Sequence, residues 1–233
     1  MLFRSPNTGR LRLTAARWDG KALLKAATNG SSELMSNVSM SLVGMLYNVQ
    51  LLKYAGENGV AAYGTMMYVN MVFIAVFIGY SIGSAPIIGY HYGAQNHNEL
   101  KGLLRRSLWI IGAFSVVMLG SALLLSVPLS RLFVGYDPAL YELTKNGFFI
   151  FSFSFLFAGY AIFISGFFTA LNDGLTSAII SFLRTLVFQI AAVLLLPLIW
   201  GILGIWWSIV VAELMAVVVG VIFLFLQKNK YHY

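Results

Sequence analysis

"LWIIGAFSVVMLGSALLLSV", residues 108–127, decides the fold class. The twenty residues carry no charge. As a helix they would be about 30 Å long, the thickness of a bilayer's hydrocarbon core. Helices and closed β-barrels are the structures that satisfy every backbone group in lipid. Barrel strands alternate apolar and polar residues; this segment does not, and neither does "AVVVGVIFLFL" at 216–226. With 59% hydrophobic and 10% charged residues, the chain lacks the charge to cover a soluble domain's surface. The absence of cysteine excludes disulfides, thiolate catalysis and cysteine-based metal sites.

Six spans follow at 27–52, 60–88, 107–127, 147–171, 176–196 and 203–226, so the expected fold is an all-α polytopic membrane protein. Breakers separate them: "YAGENG", "YGAQNHNE", "GYDP", "NDG" and "PLIWG". Residues 1–26 read as a basic cytoplasmic leader rather than a signal peptide, 27–227 as one six-helix lobe, and 228–233 as a cytoplasmic tail. Six crossings put eleven of the fifteen Lys and Arg residues on one side and only Lys53, Arg131 and Lys145 on the other. The positive-inside rule makes the first side cytoplasmic, with both termini there.

The first span is unusually polar. "NGSSELMSNVSM", 29–40, holds two asparagines, four serines and a glutamate. At about 100° per residue, Asn29, Glu33, Ser36, Asn37 and Tyr47 share a side, widened by Ser32, Ser39 and Ser41 and interrupted by Met40 and Val43. Leu34, Met35, Val38, Leu42 and Met45 form the other side. A carboxylate in a span is costly and usually faces a cavity or pathway. Desolvation favours its neutral form and a bound cation its charged form, so Glu33 suits exchange of H⁺ or Na⁺ for a substrate. The plainer reading is a glutamate hydrogen-bonded between helices, with serines allowing close packing.

Arg184 and Glu213 also lie within spans, where a structural ion pair or a relay would account for both; Arg184 could instead partner Glu33. The second span ends in "GYSIGSAPIIGYHYGAQN", and Gly79, Gly83 and Pro86 mark an expected helix break or gate. "GYSIG", 79–83, copies the G-x-S-x-G letters, but Ser81 lies in an apolar helix without the strand-to-helix turn that motif needs. His91 and His97 lack metal-pair spacing, so no metal site is expected. Trp109, Trp200, Trp206, Trp207 and the final "YHY" suit anchoring at the membrane interface.

"NGSSELMSNVSMSLVGMLYN" followed by "GVAAYGTMMYVNMVFIAVFIGYSIGSAPIIGYHYGAQNHNELK" closely resembles the MATE (multidrug and toxic compound extrusion) family. "GIWWSIVVAE" is similar to the family's last helix. The resemblance implies one lobe, the C-terminal one, of a twelve-helix transporter that exports cationic or amphipathic organic compounds against H⁺ or Na⁺. It implies that Glu33 takes part in cation coupling and that Asn29, Ser36, Asn37, Met40 and Tyr47 line the cavity. Some members carry an aspartate in the lobe's fourth helix; alignment on "SGFFTALNDG" puts Ala158 or Gly159 there, which departs from a two-carboxylate site.

The expected function is therefore part of a cation-coupled multidrug antiporter in a bacterial plasma membrane. Its expected partners are the bilayer, a small organic substrate, and a missing N-terminal lobe or a second copy. Neither an enzyme activity, a cofactor beyond the coupling ion, nor nucleic-acid binding is expected. The alternatives are a lipid-linked precursor flippase of the same superfamily and a non-transporting truncated fragment.

Overall fold

Each apolar run is helical, and the helices outrun the spans that hydropathy delimits. The computed structural model describes residues 18–233, apart from the side chains at 22, 28, 29, 31–33, 35 and 36. The helices are α1 (Gly20–Gly93), α2 (His97–Val134), α3 (Pro138–Ser152), α4 (Phe155–Ala170), α5 (Gly174–Phe182), α6 (Gln189–Trp200) and α7 (Ile202–Tyr231). A π-helical segment, Leu183–Phe188, joins α5 to α6. No strand occurs among the described residues.

α1 is two spans. In one straight helix Tyr47 and Tyr63 would lie about 24 Å apart at 1.5 Å per residue. Their rings instead stack at 5.1 Å, so the chain doubles back between them. The turn is Gly56, the one non-helical residue of α1, at φ 65° and ψ −156°. That conformation is essentially closed to side chains. Gly56→Ala should therefore lower stability by about 1–3 kcal/mol, read as the midpoint of unfolding in detergent. Gly64→Ala, at a helical glycine with open space around it, should not.

The fourth span is also compound. α3 and α4 meet at a 49° bend, so the single helix expected at 147–171 is replaced by a broken one that starts at Pro138. No proline or glycine makes the bend. Ser152 Oγ donates to Phe148 O, and the Phe153 N–H turns back to Ile150 and Phe151, a serine back-bond of the kind that bends helices. With α1 counted as two and α3–α4 as one, the described residues make six crossings. In α2, Arg106 and Arg131 bracket 24 uncharged residues, about 36 Å of helix and thus a full bilayer span.

The break expected at Gly79, Gly83 and Pro86 is absent: α1 stays helical through all three, and they lie on its exposed face. A single proline removes one ladder hydrogen bond, and the rest of the turn holds the helix. Ser81 packs against Gly166 in mid-helix.

The interior is aromatic, and glycines let it close. Phe73 stacks on Phe155 at 5.0 Å, and Gly147 lies under the Trp206 indole. Trp206, Tyr231 and Tyr233 are buried, which corrects their assignment to the interface; Trp109 and Trp200 are exposed. The outer surface carries Leu124, Leu132 and Phe225, an apolar exterior of the kind that faces lipid.

One end of the bundle gathers the turn at 93–97, the turn at 171–174 and residues 231–233. Tyr92 and Phe168 both meet the Tyr231 ring, and His97 meets His232 at 5.1 Å. An even number of crossings requires this. The stretch taken for a tail is part of the fold: α7 runs on through Lys228 and Lys230, and Tyr233 Oη returns to Leu224 O.

Candidate functional site

Two charges buried in a span need each other, and here they meet. Arg184 Nε donates to Glu213 Oε2 at 2.8 Å and Nη2 to Oε1 at 2.9 Å, a two-pronged pair that fixes direction as well as distance. Glu213 is 6% exposed. Arg184 sits in the π segment, whose wider turn presents it to α7; such segments are rare and concentrate at functional sites. Of the partners open to Arg184 on sequence grounds, Glu213 is paired with it, and the side chain of Glu33 lies outside the described residues.

One turn and a half away, a second polar node ties the first arm of α1 to the same two helices. Tyr47 Oη donates to Gln189 Oε1 at 3.0 Å and lies 2.7 Å from Ser208 Oγ, which in turn donates to Ile205 O. Tyr47 is 1% exposed. It therefore occupies the lobe's interior rather than its open surface. Gln189 and Ser208 carried no weight in the sequence. The signal was there in Gln189, an amide in an apolar span that must find a partner.

The buried stripe of that arm is Ser39, Val43, Tyr47 and Leu51, spaced by four. Rotated from it, Asn37, Ser41 and Asn48 are exposed, beside Met40. This strip is polar and solvent-facing among the described residues. Leu34, Val38, Leu42, Met45 and Val49 form the apolar flank. The side chains of Asn29, Glu33 and Ser36 lie outside the described residues. Asn37 and Met40 thus share the open side, Tyr47 is internal, and Arg184 with Glu213 lies behind it.

A second carboxylate has no room at the position where the resemblance would put one. Ala158 is buried, and a Cβ on Gly159 would sit 2.6 Å from the Phe77 ring and 3.1 Å from Ile111 Cγ2. Among the described residues no three His, Asp or Glu side chains converge on a metal site.

At the gathered end, Asp173 accepts from Tyr231 Oη at 2.7 Å, Thr176 Oγ1 at 2.8 Å and Thr176 N at 3.2 Å, with Lys230 Nζ at 3.4 Å. Partial burial opposes its charge, but these hydrogen bonds and the Lys230 ammonium outweigh that and hold the carboxyl below its ordinary value. A lowered folded-state value stabilises above the ordinary carboxylate range and is lost as pH falls through the lowered one. The unfolding midpoint should thus drop below about pH 4. Asp173→Asn should lower it at neutral pH and remove that part of the acid dependence.

The MatE family model matches residues 34–195, more than half of the chain. The multidrug export protein MepA of Staphylococcus aureus is 21% identical over 201 residues, 86% of this chain and 44% of MepA. The probable multidrug resistance protein YoeA of Bacillus subtilis is 26% identical over 137 residues, 57% of this chain and 29% of YoeA. An outward-facing multidrug resistance MATE family transporter of the MOP superfamily superposes with a TM-score of 0.86 at 20% identity, over 95% of this chain and 50% of that one. A MATE structure in a bent conformation matches with the same score at 19% identity. The chain spans about half the length of the relatives it matches.

Proposed function

The chain belongs to the MatE family, and on that premise we propose that it is one six-helix half of a cation-coupled exporter of organic cations. A carrier of this kind moves two repeats about a central site. This lobe supplies one wall of it, the strip of Asn37, Met40, Ser41 and Asn48 on the first arm of α1. That polar strip, exposed among the described residues on a helix inside the family match, is the observation that carries the reading. Thioether and amide groups on an adaptable surface suit an amphipathic cation.

Glu33 is the group that exchanges H⁺ or Na⁺ for the substrate in this reading. The Tyr47 node holds the arm to α6 and α7, and the Arg184–Glu213 pair ties the π segment before α6 to α7, so that displacement of the arm is felt by the lobe as a unit. The other half of the carrier is an N-terminal lobe or a second copy of this one. The proposal includes a bacterial plasma-membrane location with both termini cytoplasmic, supported by the eleven-to-three bias of basic residues. An anionic lipid-linked substrate is less well served, because Arg184, the one cation deep in a span, is spent on Glu213.

The test is reconstitution in liposomes with tetraphenylphosphonium as substrate and an imposed H⁺ or Na⁺ gradient. Transport should require co-reconstitution with a second six-helix MatE lobe or dimerisation of this one. Transport by the monomeric chain, or none with either partner, would overturn the reading.

A further inference from the structure

We propose that the start of α2 carries a binding site for an anionic phospholipid headgroup, formed by Lys101, Arg105 and Arg106 over the exposed indole of Trp109. Lys101, Arg105 and Trp109 are spaced by four and lie along one stripe of the helix. All three cations are exposed, and Trp109 is 74% exposed. Arg106 belongs to the same surface through Gly102. Its Nη2 lies 3.9 Å from where a Gly102 Cβ would be, so the guanidinium lies back over the bare backbone at 102. A Cβ at 102 would meet it in ordinary contact, whereas a branched side chain such as leucine would take the space that the guanidinium occupies.

None of the three cations forms an ion pair among the described residues. Glu99, the acid on the same turn of helix, makes no salt bridge to any of them among the described residues. Three uncompensated cations within two turns call for an anion.

Depth argues that the anion is a lipid. Trp109 lies about 6 Å below Arg105 along the axis at 1.5 Å per residue. That is about the thickness of the headgroup region on one side of a bilayer. Beneath it the same helix exposes Ile110, Val116 and Val117. A phosphate held by the arginines would thus continue into glycerol beside the indole and acyl chains along the apolar stripe, as interfacial tryptophans and basic clusters favour. A free anion would use the cations and leave the indole and the stripe without a partner.

The experiment extracts the protein, with its partner lobe where one is bound, from membranes holding equal phosphatidylglycerol and phosphatidylcholine. Native mass spectrometry then counts the retained lipid. Phosphatidylglycerol should be enriched about tenfold, and inorganic phosphate at tens of millimolar should leave this unchanged. Lys101→Gln, Arg105→Gln and Arg106→Gln together should bring the ratio near one, whereas Lys53→Gln with Arg131→Gln should not. Gly102→Leu, which keeps every charge, should cut the enrichment several-fold and serves where the triple variant fails to fold. Enrichment that survives both variants, competition by phosphate, or a photo-crosslinker at position 109 that captures a protein subunit instead of lipid would overturn the proposal.

Discussion

Arg184→Met should cost the fold about 3–5 kcal/mol, because it leaves the Glu213 carboxylate buried without its counter-charge. Glu213 is 6% exposed, and both its oxygens are engaged by the guanidinium. The unfolding midpoint in detergent reads this loss. Arg184→Met combined with Glu213→Met removes both charges and should recover most of the stability, since an apolar pair of similar volume avoids the desolvation that the ion pair must overcome. A double variant as unstable as the single one would sink this account. Transport by the double variant then separates roles: activity kept marks a structural pair, activity lost in a stable protein marks a relay.

Glu33→Gln should reduce gradient-driven efflux of an organic cation at least tenfold in the assembled transporter while leaving insertion unchanged. The amide nearly copies the carboxylate's shape but exchanges neither H⁺ nor Na⁺, and a carboxylate kept in a span at a cost of a few kcal/mol is expected to act as one. No second carboxylate in the fourth span can compensate, because Phe77 fills the space beside Gly159. Efflux within twofold of the unsubstituted protein would remove Glu33 from the coupling mechanism. Side-chain loss at Tyr47 would test a different thing, the anchoring of the arm.

Hydropathy made the spans legible because crossing a bilayer is a property of twenty residues together and survives local irregularity. The turn at Gly56 was legible as "YAGENG", since a glycine among small and polar residues is where a helix can reverse. Arg184 and Glu213 were legible as charges that need partners, because neither is tolerable alone at membrane depth, but the sequence left Glu33 open as the partner of Arg184. Other features depend on contacts that a linear pattern does not carry. The bend at Phe153 rests on a serine back-bond with no proline or glycine to announce it. The π segment at Leu183–Phe188 reflects the fit of α5 and α6 against α7. The glycines at 79 and 83 suggested a break that one proline cannot make by itself. Tyr231 and Tyr233 have the composition of interfacial anchors, yet their rings found aromatic partners and Asp173 inside. Tyr47 belongs to the polar side by register and to the core by packing, and only coordinates separate the two.

The contact between Asp173 and Tyr231 also sets an order of events during synthesis. The ribosome makes the turn at 172–174 dozens of residues before the tyrosine and lysine that complete it. Until residues 202–231 have entered the membrane, the carboxylate has Thr176 but lacks the ring and the ammonium, and the His97 end of α2 lacks its neighbour. The last helix to emerge is thus the one that closes the lobe. A chain stalled before it would present an open bundle with an under-coordinated acid at its rim.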